Sequence, residues 1–175
     1  MNRCSMLFAL ALLSAVTFTA LARAQDSPDP LGSHTASIFA EFSAADVGQG
    51  DGALLGGTGG ANLQRGLLGL VLRGTVAPGN QNVHIYQAVL GPRFALDLPV
   101  LQPFVEAGGG MGRAVNNNTF SGPGWGAAWQ VAAGVEHDLG PHLTWRIAEA
   151  AYGHIYAAGG ISPAIVSTGL RLNLW

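Results

Sequence analysis

The sequence predicts an all-β protein: an N-terminal export segment, then eight antiparallel strands closed into an up-and-down transmembrane barrel. Three observations predict it. Charged residues make up only 10% of the 175-residue chain, against about a quarter in an average soluble protein. Past residue 24 no stretch approaches the roughly 18 apolar residues of a helical span. The chain alternates instead. Trp125, Ala127, Trp129, Val131, Ala133 and Val135 share one parity, and Gly126, Ala128, Gln130, Ala132, Gly134, Glu136 and Asp138 the other. A period of two marks a strand with one apolar and one small or polar face. A membrane span must satisfy its own backbone groups, so it is a helix bundle or a closed barrel. Without helices, the barrel remains.

Residues 1–24 read as a secretory signal peptide. Arg3 gives a positive start, Met6–Ala22 is apolar and uncharged, and Ala22-Arg23-Ala24 fits a small-x-small cleavage site. Cys4 is the single cysteine and precedes the apolar run. The mature chain therefore carries neither a disulfide nor a cysteine metal ligand into its oxidising compartment. Residues 25–33, with Pro28 and Pro30, form a loose periplasmic lead-in, and 34–175 the barrel.

Strands of about ten residues suit a tilted bilayer crossing. Strand one, 35–44, sets Ile38, Ala40 and Phe42 against Ser37, Phe39, Glu41 and Ser43. Strand two, 52–62, is glycine-rich, so its register is weakly specified. Strand three, 66–76, sets Leu68, Leu70 and Leu72 against Leu67, Gly69, Val71 and Arg73. Strand four, 84–97, sets Tyr86, Ala88, Leu90, Phe94 and Leu96 against Gln87, Val89, Gly91, Arg93 and Asp97. Strand five, 102–114, carries Glu106 and three consecutive glycines. Strands six and seven, 125–138 and 143–156, form a hairpin about Gly140-Pro141. Strand eight, 164–175, sets Val166, Thr168, Leu170, Leu172 and Leu174 against Ser167, Gly169, Arg171 and Asn173.

Connections alternate in length. Tight ones are expected at 63–65, 98–101 and 139–142, and longer ones at 45–51, 77–83, 115–124 and 157–163. Short periplasmic turns and longer outer loops are the barrel pattern, and an even strand count leaves both ends in the periplasm. Pro92 and Pro103 each remove a ladder donor inside a strand, so bulges are expected beside them.

Several segments resemble the small outer-membrane β-barrel family related to the OmpA transmembrane domain, in its acidobacterial single-domain form. They are Gly91-Pro92-Arg93-Phe94, Pro103-Phe104-Val105-Glu106-Ala107, Ala132-Ala133-Gly134-Val135-Glu136, Arg146-Ile147-Ala148-Glu149-Ala150-Ala151-Tyr152 and Ser167-Thr168-Gly169-Leu170. The resemblance implies an eight-stranded barrel in the cell outer membrane with no assigned chemistry. Members of the family usually end on a lipid-facing aromatic residue. Here Trp175 has the parity of Arg171 and Asn173, one step off.

The polar parity collects charge: Glu41, Arg73, Arg93, Asp97, Glu106, Glu136, Asp138 and Arg146. The interior of an eight-stranded barrel is just wide enough for side chains to fill it, and buried charges must pair. A lumen network is expected in which Arg73, Arg93 and Arg146 pair with Glu41, Glu106 and Glu136. Glu149 has the wrong parity and joins only if a bulge separates it from Arg146.

The five histidines lack metal-pair spacing, no phosphate loop is present, and a net charge of −2 gives no case for nucleic acid. No cofactor is expected. The expected function is a structural or surface barrel of the outer membrane. Its expected partners are membrane lipid, the assembly machinery that inserts it, and an unidentified ligand at loops 115–124 and 157–163. Two alternatives are weighed. A soluble, lipocalin-like periplasmic barrel binding an apolar ligand would turn the leucine and tryptophan parity inward. A lipid A deacylase would use His154, Ser162 and Glu149 near the outer end of strand seven.

Overall fold

The computed structural model describes residues 34–48, 53–78, 83–116, 124–157 and 160–174. The signal peptide, the lead-in, much of the third outer loop and Trp175 lie outside the described residues. The strands are β1 (His34–Asp46), β2 (Leu54–Arg65), β3 (Leu68–Pro78), β4 (Val83–Ala95), β5 (Gln102–Asn116), β6 (Gly126–Asp138), β7 (Leu143–Ile155) and β8 (Ala164–Asn173). Each pairs antiparallel with its neighbours in sequence, and β8 pairs with β1, so the barrel is closed. Closure leaves no edge strand to template aggregation.

The alternation decides what faces where. Phe42, Leu63, Leu70, Leu72, Leu90, Val131, Val166, Leu170 and Leu174 stand on the outside, Phe42 and Leu63 each 60% exposed. Ser37, Glu41, Thr58, Asn62, Arg73, Gln87, Arg93, Glu106, Gln130, Glu136, Arg146 and Ser167 are buried inside. The soluble alternative needed the leucines inward, and the structure places them outward.

Register is set locally where the sequence left it weak. In glycine-rich β2, the inward Thr58 bonds Thr75 of β3 at 3.2 Å, and Asn62 is 2% exposed. The turn after it is Gly66-Leu67, not 63–65: Gly66 adopts φ +57°, and β2 runs on to Arg65. A two-residue hairpin needs such a left-handed residue, which glycine supplies without a Cβ clash. Leu67 therefore sits in the turn rather than on β3. Leu96, expected outward on strand four, lies past the end of β4 and is buried, its N–H donating to Pro103 O at 2.9 Å.

The prolines produce no bulge. Along β4 and β5 the pairing keeps one register from Leu90↔Gly109 to Arg93↔Glu106. At Gly91 the strands close up instead; a Cβ there would meet Ala107 O at 1.8 Å. The β4–β5 ladder passes over Gly91 and Pro92 without an inserted residue. The bulge falls in β7. Val135 faces Ala148 while Glu136 faces Arg146, so Ile147 is the extra residue. The β8 side agrees, with Arg146↔Gly169 followed by Glu149↔Ser167. One unpaired residue flips the strand's parity. Glu149 consequently joins Arg146 inside the barrel.

Ala45, Val47, Leu54, Ala77, Ile85, Ala114, Ile155, Ile161 and Ile165 form a buried apolar cluster at the loop end of the lumen. Ile155 is fully buried and pairs with Ile161 across the last loop, N–H to O in both directions at 2.8 and 3.0 Å. At the turn end the lumen instead opens into a vestibule of about 170 Å³.

Candidate functional site

Between the apolar cap and the vestibule lies a band of buried charge. Arg93, Arg146 and Glu136 are 0–1% exposed, and Glu41, Arg73, Glu106 and Glu149 no more than 6%. Arg73 comes from β3, Arg93 from β4, Glu106 from β5, Glu136 from β6, Arg146 and Glu149 from β7, and Glu41 from β1.

All six residues of the expected network meet here. Arg73 Nη2 bonds Glu106 Oε2 at 2.7 Å, and Arg73 lies 4.0 Å from Glu41. Arg93 bonds Glu106 on one side and Glu136 Oε2 on the other, the latter at 2.8 Å. Arg146 is the hub. Its Nε bonds Glu136 Oε1 at 2.9 Å, its Nη1 bonds Glu149 Oε2 at 2.9 Å, and it also holds Glu41. Two residues outside the expected six complete the set. Glu149 chelates Arg73, and Arg171 of β8 pairs with Glu136. Four arginines thus face four glutamates, and the band is formally neutral. Ser167 donates to Glu41 Oε2 at 2.9 Å. A buried ion pair holds only when most of its remaining hydrogen bonds are also made; the interleaved guanidiniums and carboxylates make most of them, and Arg93 Nε and Arg171 Nε are left without a hydrogen-bond partner.

Two rings complete the packing. Phe39 and Phe104 are inward and buried. The Arg146 guanidinium carbon sits 4.6 Å from the Phe39 ring and 4.5 Å from that of Phe104, between the two. Arg93 lies 4.1 Å from Phe104, and Arg73 5.4 Å from Phe39. Desolvated cation–π contacts of this kind contribute up to about 2 kcal/mol each. Each ring stands across from a glycine, Phe39 over Gly60 and Phe104 over Gly134. A Cβ on Gly134 would meet Phe104 Cζ at 2.7 Å and Ala148 O at 2.6 Å. Gly134→Ala is therefore expected to destabilise the folded barrel by about 1–3 kcal/mol through overpacking. Gly109→Ala, into open space, should change it by less than about 0.5 kcal/mol. Urea midpoints of the two variants in detergent micelles check this, and equal midpoints would refute the packing argument.

Asp97 and Asp138, on the same polar parity, do not join the band. They flank the vestibule, where Gln102 Nε2 donates to both, at 3.0 and 2.6 Å, and Thr144 donates to Asp138 at 2.6 Å.

The deacylase residues divide. His154 Nδ1 lies 2.8 Å from Ser162 Oγ at the loop end of β7. Glu149, the carboxylate of that triad, is inside the lumen and held by Arg73 and Arg146. The parity that points Glu149 inward points His154 outward, so the carboxylate is not presented to the imidazole. Among the described residues no group of three His, Cys, Asp or Glu is placed to hold a metal.

No protein-family model matches the chain, and no curated protein matches it. Solved structures do. Neisserial surface protein A superposes with a TM-score of 0.64 at 15% identity, over 79% of this chain and 96% of that one. The N-terminal β-barrel domain of Pseudomonas aeruginosa OprF gives 0.54 at 18%, over 81% and 100%. The Pseudomonas aeruginosa outer membrane protein OprG gives 0.50 at 12%, over 81% and 96%. At these identities the likeness is one of fold, and the fold is that of a small closed antiparallel barrel.

Proposed function

We propose that the chain is an integral β-barrel of the cell outer membrane, serving as a structural or surface component with a lumen filled by its own side chains. One observation carries the reading: the barrel is inside out relative to a soluble one. Most of its leucines and its described tryptophans face out, and Arg93, Arg146 and Glu136 are among its largest fully buried side chains. Such a surface is stable only against hydrocarbon, and a closed ladder is the β-structure that hydrocarbon tolerates. The similar folds of outer-membrane barrels support the same placement.

With the charged band filling the lumen and the apolar cap closing its loop end, the reading assigns the barrel no conduction and no catalytic residue. Insertion is the task of the assembly machinery for such barrels, and the loop end is the face offered to partners outside the cell. Fractionation with a heat-modifiability gel tests the proposal. The mature chain should partition with outer membranes and shift mobility on boiling, and in a planar bilayer it should pass no steady current. A chain that is soluble and heat-indifferent would overturn the reading.

A further inference from the structure

The outward face of β5 is apolar from Pro103 through Val105, Ala107, Gly109 and Met111, and then presents Arg113. Arg113 lies ten positions beyond Pro103. At about 3.3 Å per residue and a tilt of about 45°, that is about 23 Å along the barrel axis. The apolar band of such barrels is about 25 Å tall. Arg113 therefore stands where hydrocarbon gives way to headgroups, at the loop end.

Its surroundings differ from the rest of that rim. Tyr86 of β4 is its direct cross-strand partner. Trp125, just before β6, is 56% exposed, and Tyr156, just after β7, is 63% exposed. Tyr156 N donates to Ala127 O at 2.9 Å, which ties it to the same side of the barrel, and its ring meets His154 edge-on at 4.4 Å. One row lower, Trp129 and Tyr152 pack at 6.0 Å. Toward the loop end, β8, β1, β2 and β3 present Val166, Phe42, Leu55 and Val76 outward. Among the described residues tyrosine and tryptophan, though not phenylalanine, are confined to the β4–β7 side.

Arg113 also differs from the lumen arginines in having no counter-ion. Each of those is paired, whereas among the described residues Arg113 makes no ion pair; its Nε, like those of Arg93 and Arg171, has no hydrogen-bond partner. His84, diagonally across on β4, has an unpartnered Nδ1 as well. Among the described residues the outward acid of the same rim is Asp46, on β1, on the opposite wall of the barrel. A guanidinium at a membrane boundary, without an ion pair among the described residues, calls for an anion from outside. Its fork matches a phosphate in bidentate fashion, and tyrosine and tryptophan at headgroup depth add donors beside it.

We infer that Arg113, with Tyr86 and Trp125 beside it, forms a binding site for the phosphate-bearing headgroup of a lipid in the loop-side leaflet. The inference rests on the outer-membrane reading given above. The test uses the full mature barrel folded in detergent micelles, with its heat-modifiable band checked in every sample. Native mass spectrometry then counts retained molecules of diphosphoryl lipid A and of the same lipid after chemical dephosphorylation. The wild type should retain the phosphorylated lipid at about a tenfold lower concentration, the factor worth one good charge-assisted contact. Arg113→Gln should abolish the difference, and Arg113→Lys should keep part of it. Equal retention of the two lipids, or an Arg113→Gln barrel that still discriminates, would overturn the site. Displacement of the lipid by an equal concentration of inorganic phosphate would overturn the assignment to a lipid headgroup. A wild-type barrel that is heat-modifiable but indifferent to phosphate removes this inference alone. A heat-indifferent one removes the reading beneath it.

Discussion

Arg146→Met should cost the folded barrel about 3–5 kcal/mol, the range for removing one partner of a buried ion pair. The arginine is fully buried and holds Glu41, Glu136 and Glu149 together. Without it, four carboxylates face three guanidiniums. Water cannot re-enter easily, because Phe39 and Phe104 close over the vacated position. Arg146→Lys is not a rescue, since an ammonium lacks the planar fork that lies flat between two rings. Adding Glu149→Gln to Arg146→Met restores the charge balance and should recover more than half of the loss. Urea unfolding followed by tryptophan fluorescence measures all three variants. A loss below about 1 kcal/mol for Arg146→Met, the scale of an exposed pair, would mean that the band is solvated and does not hold the barrel.

Deletion of Ile147 should leave the heat-modifiable form intact. Ile147 is the unpaired residue of the β7 bulge. Without it, Arg146 and Glu149 stand two positions apart on one parity, and β7 pairs with β6 and β8 in one continuous register. Thr144, Arg146 and Glu149 all stay inward, so the charged band keeps its partners. What is lost is the local twist that a bulge adds. Ile147→Ala keeps the residue count and should fold likewise, because the bulge needs a residue and not that side chain. Gel mobility of unboiled samples checks both variants. A deletion variant that ran as unfolded would show that the barrel requires the twist of the bulge and not only its parity.

Much of this architecture was legible in the sequence because the two parities differ so sharply. Leucines at 68, 70 and 72 against Arg73, and Leu170 and Leu172 against Arg171, place the wall and the lumen without reference to any contact. The rest was hidden for identifiable reasons. Gly66, the turn residue, sits one step past a run, Asn62-Leu63-Gln64-Arg65, whose polar residues mimic a turn. The bulge at Ile147 has no composition of its own; its trace is that Arg146 and Glu149 cannot both be inward without it. Arg171 was visible on the polar parity, but nothing in β8 says which carboxylate it reaches across the lumen. Phe39 and Phe104 are apolar residues on the polar parity, and the signal for them is the glycine opposite each, which strand pairing alone reveals. The apolar cap was missed likewise: Leu54, Ile85 and Ile165 share the parity of Thr58, Gln87 and Ser167, and the charges drew the reading to the middle of the lumen.

The charged band also governs how the molecule can come into being. Glu41 and Arg146 are 105 residues apart in the chain, and Ser167 reaches Glu41 across 126. Contacts that distant form late, after most of the loop-closure entropy has been lost. Part of the charge is neutralised early: Arg93 and Glu106 face each other across the β4–β5 hairpin, and the β3–β6 half of the sheet carries two arginines and two glutamates. Glu41 differs, because Arg146 and Ser167 reach it only when β1 meets β8. Assembly should accordingly proceed through hairpins already matched in charge, with the carboxylate of β1 the last to be satisfied as the ring closes.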